Sequence, residues 1–158
     1  MSNTRSQSPH ASRRAARRLA LSSIFEADFG QRTASAVLER HITVSGADDN
    51  TVAYARELVQ KVAHHRAALD RRIESVAPAY PVMQLARIDR ALLRTGLGEL
   101  LHCPSTPAPV VISEWVSLAR TYSGEPARRL VNGVLGRVAT QEMEIGSAAV
   151  DSGQGVAE

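Results

Sequence analysis

Residues 85–101 read LARIDRALLRTGLGELL, with leucine or isoleucine recurring mostly at intervals of three and four. This spacing lines the apolar side chains along one wide stripe of an α-helix that ends before Pro104. Gly96 and Gly98 each weaken a helix by roughly 1 kcal/mol relative to alanine, so we expect close approach of a neighbouring helix there. The stretch predicts a central helix that contacts several others.

The same periodicity continues on both sides of this helix, and no segment alternates apolar and polar residues as a half-buried strand does. Aromatic residues make up only 4% of the 158 residues, which disfavours a β-sandwich or barrel. We predict an all-α fold, a compact single-domain bundle of about six to eight helices. Besides the central helix, the predicted helices are 12–28 with Ser12 as its cap, 33–41, one from an Asp48 or Asp49 cap to about 65, 67–76, 109–122 and 125–140.

The two ends of the chain differ from its middle in composition. Residues 1–10 and 141–158 are rich in serine, glycine and alanine without helical periodicity, and we predict a flexible tail at each end. Residues 11–140 form the predicted helical domain. The length of the chain agrees with one domain of ordinary size.

Charge is distributed unevenly along the chain. Of the 19 basic residues only Lys61 is a lysine, and residues 1–18 carry five arginines and no acid, whereas residues 141–158 carry four acids. Codon bias explains the choice of arginine but not this placement. A basic end on a chain with a formal net charge of only +3 indicates a polyanionic partner.

The sequence offers no catalytic or cofactor motif. Phosphate-binding loops, zinc-protease and serine-hydrolase motifs are all absent. His102 and Cys103 are adjacent and so do not face each other on a helix, and His64 and His65 fail as metal ligands for the same reason. We expect a solvated helix end at the histidine pair and a small core residue at Cys103. The expectation is a protein without catalytic residues, metal or cofactor.

The lone cysteine excludes an internal disulfide, and no apolar run is long enough to span a membrane. The polar start of the chain also differs from a secretory signal. We expect a cytoplasmic protein without membrane contact.

Four arginines lie on the first predicted helix at spacings that stack them on neighbouring turns. Like charges at such spacings, placed near a helix N-terminus, are destabilising by a few tenths of a kcal/mol or more each, and phosphates would reverse that penalty. The guanidinium fork also suits phosphate oxygens and stacks on unpaired bases. A solvated basic face is the alternative. The candidate RNA-binding residues are Arg13, Arg14, Arg17 and Arg18.

Three motifs in the second half of the chain carry a family resemblance. They are the run Asp89-Arg90-Ala91-Leu92-Leu93-Arg94 with Glu99-Leu100, the segment from Val110 through Ile112 and Glu114 to Leu118-Ala119-Arg120, and Leu130-Val131-Asn132-Gly133-Val134-Leu135. In order and spacing, and with Arg13-Arg14-Ala15-Ala16-Arg17 upstream, they resemble the NusB family of bacterial antitermination factors. The resemblance covers about residues 12–140.

The resemblance implies a non-enzymatic, all-α transcription factor that binds RNA. Its expected partners are the boxA element of nascent ribosomal RNA transcripts and the ribosomal protein NusE, together with other Nus factors and RNA polymerase. The complex promotes read-through of terminators. The sequence leaves open whether the chain forms a homodimer.

Site residues follow from the same resemblance. Arg13, Arg14 and Arg17 match RNA-contacting arginines, Arg129 and Leu130 match a basic and aromatic pair near the RNA, and Asp89, beside Arg90, matches a partner-binding position. Arg18 is added on its charge alone. Leu130 stands where the family commonly has phenylalanine, which weakens the expected base contact.

Two further positions and one alternative function stay open at this point. Trp115 replaces a small residue and is expected in the core, with an exposed partner contact as the alternative. Asn132 and Gly133 are expected to serve helix packing more than binding. The alternative function is a helical protein-interaction or dimerisation module, related to the domain that precedes some rRNA cytosine methyltransferases.

Overall fold

The computed structural model describes residues 8–153, and these residues form helices joined by short connections, without a strand. The predicted all-α class is therefore confirmed. No helix in this part of the chain is long and apolar enough to cross a bilayer. The elements are α1 (Pro9–Ala27), α2 (Ala34–Ser45), α3 (Asp49–Val76), a 3-10 turn (Val82–Gln84), α4 (Arg87–His102), α5 (Ala108–Tyr122) and α6 (Glu125–Gly153).

Helix α4 is the centre of the bundle, as its wide apolar stripe predicts. It packs against α1, α3, α5 and α6. Leu92, Leu93 and Leu97 are fully buried, because every side of the helix has a neighbour. Burying one leucine of this kind stabilises a fold by about 1.5–3 kcal/mol.

The two glycines of α4 lie where helices approach most closely. A Cβ added to Gly98 would lie 2.7 Å from Cγ2 of Val62 on α3, and one added to Gly96 would lie 3.1 Å from Cγ of Trp115 on α5. Both distances are shorter than ordinary side-chain contact. The expectation of close helix approach at these positions is confirmed.

The first helix begins earlier than the sequence predicts. Ser8, not Ser12, caps α1, since its Oγ accepts from the backbone N–H of Ala11 and Pro9 occupies the first turn. Ser12 is buried within the helix and donates its hydroxyl proton to Asp48, at 3.0 Å. The same Asp48 caps α3 by accepting from the N–H of Thr51. The predicted Ser12 cap is therefore wrong, and its hydroxyl joins two helices instead.

Three predicted helix ends are also wrong. Helix α2 continues past the predicted end at His41 to Ser45. The stretches predicted as separate helices around residues 49–65 and 67–76 are one helix, α3, because no glycine or proline interrupts residues 61–76. Helix α6 does not end near Thr140 but continues to Gly153, with exposed side chains beyond residue 140. Arg72 on α3 donates to Gln141 and Glu142, which holds the start of this extension. Residues 1–7 and 154–158, parts of the two predicted tails, lie outside the described residues.

Candidate nucleic-acid interface

Arg17, predicted as an RNA contact, lies inside the bundle. Its side chain is 1% exposed, and its Nε and Nη2 each donate to the carboxylate of Glu99 at 2.8 Å. Arg17 shares a face of α1 with Leu21 and Ile24, which are also buried. The structure therefore places Arg17 out of reach of RNA, contrary to the prediction, because its charge is already matched by a carboxylate in the core.

Glu99 is the centre of a buried polar cluster. Besides Arg17, the hydroxyl of Tyr54 donates to Oε2 at 2.5 Å, and Nε1 of Trp115 donates to Oε1 at 2.7 Å. Burial opposes the charged carboxylate, but the hydrogen bond and charge of Arg17, with the two neutral donors, outweigh it and hold the pKa of Glu99 below its usual value. Trp115 is fully buried, so its expected place in the core is confirmed.

Arg13 is half-buried and joins α1 to the loop between α4 and α5. Its Nη1 donates to Thr106 Oγ1 at 2.6 Å, and its guanidinium donates to the carbonyl and hydroxyl oxygens of Ser105. The guanidinium carbon also lies 4.7 Å from the ring centre of Tyr54, a cation–π distance. These contacts orient Arg13 at the edge of the surface that Arg14 and Arg18 form.

Arg14 and Arg18 are the exposed arginines of α1. They are four residues apart and therefore lie on one face of the helix. The side chain of Arg14 is 53% exposed, and its Nε and Nη2 each lie 3.1 Å from Oε1 of Glu114 on α5. We call these two residues, with Arg13 at their edge, the arginine patch. It presents forked donors to solvent, with one carboxylate beside them.

The predicted residues on α4 and α6 meet at a different place. Asp89, Arg129 and Leu130 line one groove of about 490 Å³, together with Tyr80 and Arg137. We call it the α4–α6 groove. The sequence motifs around Asp89 and Leu130, 41 positions apart, are thus brought to one surface site.

Asp89 is fixed at the edge of this groove, because its Oδ1 accepts from the Ser123 hydroxyl at 2.6 Å. Arg90, predicted beside it as a partner contact, points the other way. It is buried and donates from Nε to Asp28 at 2.5 Å. The structure thus contradicts a surface role for Arg90, whose ion pair joins α4 to the end of α1.

The arginine patch and the groove lie towards opposite ends of α4. Arg17 contacts Glu99 near the C-terminal end of α4, and Asp28 contacts Arg90 near its N-terminal end, so the two helices run antiparallel. Asp89 and Glu99 are separated by roughly 15 Å at 1.5 Å per residue. A ligand that contacts both sites must be elongated.

One exposed feature near the N-terminal end of α4 was not found from the sequence. Phe29 lies beyond the end of α1 and is 50% exposed. The guanidinium of Arg87 lies 4.4 Å from its ring centre, and Phe25 packs edge-to-face against it at 5.4 Å. The turn signal at Gly30 was the available indication that the helix, and its apolar face, end before Phe29.

Within residues 8–153, the histidines and the cysteine belong to no group of three metal-binding side chains. His65 lies within α3 rather than at a solvated helix end, and it stacks on His102 at 3.7 Å. Burial, with a smaller effect of nearby Glu57 and Glu99, raises the pKa of Cys103 to about 12. Its thiol is therefore neutral at physiological pH and packs as a small core residue.

Known proteins share both the sequence and the architecture of this chain. The NusB family model matches residues 14–140. The chain belongs to the NusB family. Among its relatives, the transcription antitermination protein NusB of Dehalococcoides mccartyi (strain CBDB1) is 37% identical over 127 residues, which cover 80% of this chain and 89% of that protein. The resemblance expected from the three motifs is confirmed.

Solved NusB structures have the same fold. T. maritima NusB superposes with a TM-score of 0.75 at 26% identity, over 81% of this chain and 90% of that one. A NusB chain solved with NusE and double-stranded RNA gives a TM-score of 0.75 at 24% identity, over 83% and 98% of the two chains. The helical bundle of this chain is therefore the NusB-family fold.

Proposed function

We propose that this NusB-family protein is a transcription antitermination factor that binds boxA RNA of nascent ribosomal RNA transcripts together with ribosomal protein NusE. The match of the family model to residues 14–140 carries this proposal, because it includes Arg14 and Arg18 of the arginine patch and the α4–α6 groove. The family acts without catalysis, so the protein works by binding RNA and partners and thereby promotes read-through by RNA polymerase.

The charges of the exposed residues support RNA as the ligand. Arg14 and Arg18 on α1 and Arg129 on α6 are exposed, and guanidinium groups bind phosphate oxygens through paired hydrogen bonds. Glu114 offsets part of the charge of Arg14. The patch therefore attracts phosphate without being a large, uniformly positive surface. Such a surface favours an RNA that is recognised by more than charge.

We assign RNA contacts to Arg14, Arg18, Arg129 and Leu130, and contact with the RNA or NusE to Asp89. Arg13 contributes at the edge of the patch. Arg17 and Arg90 act indirectly, because their buried ion pairs fix α1 against α4 and so set the position of the exposed arginines.

Other Nus factors and RNA polymerase complete the proposed complex, and the proposed compartment is the cytoplasm, where transcription occurs in bacteria. Both sites lie on one chain, and we propose that one elongated RNA contacts both.

Fluorescence anisotropy with labelled boxA RNA and a scrambled RNA of equal length tests the proposal. Each RNA is titrated with the full chain, with and without NusE, at several salt concentrations. We expect tighter binding to boxA than to the scrambled RNA when NusE is present, and weaker binding of both as salt rises. Equal affinity for the two RNAs in the presence of NusE would contradict the proposal and favour a protein-interaction module.

A further inference from the structure

The α4–α6 groove contains an exposed aromatic ring that the family motifs do not include. Tyr80 follows α3, in the segment before the 3-10 turn, and its side chain is 52% exposed. It lines the same groove as Leu130 of α6. The backbone N–H of Tyr80 donates to the carbonyl of Ala77 at 3.0 Å, which fixes the turn that carries the ring.

Two arginines give the groove a positive charge. Arg129 and Arg137 lie on α6 two turns apart and both line it, against the single carboxylate of Asp89. Nη1 of Arg137 donates to the carbonyl of Val76 at 2.9 Å, so this arginine also holds the end of α3 that forms one wall. A groove lined by an exposed ring and two guanidinium groups suits a ligand that has both a flat apolar face and negative charge.

A second groove of similar size, between α1, α2 and α3, differs in this respect. It is lined by three arginines, Arg32, Arg66 and Arg94, but by no aromatic side chain. Arg94 is bound by Asp70 in a two-bond pair, and Arg66 lies 3.9 Å from Asp28. Two of the three arginines of the second groove therefore already have carboxylate partners. Of the two grooves, the α4–α6 groove combines an exposed ring with exposed arginines.

We propose that the α4–α6 groove receives one unpaired nucleotide of the bound RNA and that Tyr80 stacks on its base. The proposal rests on the proposed RNA-binding function and specifies one of its contacts. The volume of about 490 Å³ lies in the range of roughly 300–1,000 Å³ found for sites that hold molecules of this size. Base–aromatic stacking is a main source of affinity for single-stranded nucleic acids.

Each groove residue has a defined part in this arrangement. Tyr80 contacts one face of the base and Leu130 supplies apolar contact beside it. Arg129 and Arg137 bind the phosphates on either side. Asp89 accepts a hydrogen bond from an amino group of the base, which favours bases that carry one.

The first test replaces the ring in the full chain. Tyr80→Leu should weaken binding of boxA RNA in the presence of NusE roughly five- to 150-fold, and Tyr80→Phe should keep the affinity of the unchanged protein, because the ring remains. The position of the stacked base is found with RNAs that each lack one base. When the RNA lacks the stacked base, Tyr80→Leu and the unchanged protein should bind it with equal affinity.

A second pair of variants blocks the groove without touching Tyr80. A Cβ added to either Gly133 or Gly136 on α6 has nothing within 4 Å, so neither position excludes a side chain next to the backbone. Gly133 lines the α4–α6 groove and Gly136 does not. Gly133→Leu should weaken RNA binding, and Gly136→Leu should leave it unchanged.

The outcomes separate this inference from the proposed function. If the unchanged protein prefers boxA but Tyr80→Leu binds it equally well, the stacking proposal fails and the proposed function stands. If Tyr80→Leu binds NusE more weakly than the unchanged protein does in the absence of RNA, the groove binds a protein and the stacking proposal is overturned. If the unchanged protein does not distinguish boxA from the scrambled RNA, the proposed function itself fails.

Discussion

Arg17 and Arg18 are neighbours in the sequence and have opposite environments. Arg17 is enclosed in the core and bound by the carboxylate of Glu99, whereas Arg18 is exposed on the outer face of α1. The 100° rotation per residue of an α-helix is enough to separate them. A cluster of arginines in a sequence therefore mixes two kinds of residue, those that hold the fold and those that are available to a ligand.

The buried kind recurs around the central helix. Within residues 8–153, three arginines are buried, and each is bound by a carboxylate from another part of the bundle. The pairs are Arg17 with Glu99, Arg90 with Asp28 and Arg94 with Asp70. Part of the arginine surplus thus fixes α4 against α1 and α3, and only the remainder can act on RNA.

Replacing Arg17, the buried one of the two neighbouring arginines, should have the largest effect on the unfolding free energy. Arg17→Ala leaves the Glu99 carboxylate buried without its cation, and breaking a buried pair in this way costs about 3–5 kcal/mol of unfolding free energy. Urea denaturation followed by circular dichroism measures the loss. Arg18→Ala is the matched control, and its denaturation midpoint should stay close to that of the unchanged protein. Equal midpoints for the two variants would contradict a structural role for Arg17.

The pH dependence of stability sharpens the same comparison. Because the pKa of Glu99 is lower in the folded protein than its ordinary value of 4.5, the unfolded chain binds this proton first as the pH falls. The stability from the ionised pair is therefore complete above about pH 4.5 and is lost as the pH falls through the folded pKa. The variant Glu99→Gln has no ionisable carboxyl group at this position and therefore lacks this contribution to the pH dependence of stability.

The measurement is the difference in unfolding free energy between the unchanged protein and Glu99→Gln, taken from urea titrations between neutral pH and pH 3. The other carboxylates titrate in both proteins, so their contribution largely cancels. We expect the difference to narrow below pH 4.5. A difference that stays constant would mean that Glu99 does not carry a depressed pKa.

Sequence periodicity was sufficient to predict the helices but not the partners of polar residues inside them. The stripe from Leu85 to Leu101 predicts α4 as the central helix, because an apolar surface so wide must be covered on several sides. Glu99 lies within that stripe, and Arg17 lies on the apolar face of α1. A charged residue on an apolar helix face indicates a buried charge that needs a partner, and both residues fit this pattern.

What the sequence could not supply is the identity of that partner. Arg17 and Glu99 are 82 positions apart, and their contact depends on how α1 packs on α4. The same limit applies to the α4–α6 groove, since Tyr80 and Leu130 come together only in the folded chain. The Ser12 prediction failed for a local reason: Pro9 already indicated a helix start one turn earlier.

The exposed arginines should affect RNA binding without affecting stability. Arg14→Ala and Arg18→Ala should each weaken boxA binding roughly two- to fivefold at low salt and reduce the slope of log affinity against log salt by about 0.7. Anisotropy titrations at four salt concentrations, with NusE present, measure both quantities. Arg90→Lys changes a buried ion pair and no exposed arginine. It therefore controls for changes in RNA affinity that arise only through the fold. An unchanged salt slope in both variants would remove the arginine patch from the RNA-binding surface.

The smallest expected effect concerns Glu114, the residue in contact with both kinds of arginine. Its Oε1 lies 3.1 Å from Arg14 and its Oε2 lies 3.9 Å from Nη1 of Arg17. Glu114→Gln removes the charge that competes with phosphate for Arg14, so boxA binding should become about twofold tighter at low salt. The gain should vanish at high salt and in the double variant with Arg14→Ala, because Arg14 is then screened or absent. If the gain persists without Arg14, Glu114 opposes RNA through the field of the whole patch rather than through its pair with Arg14.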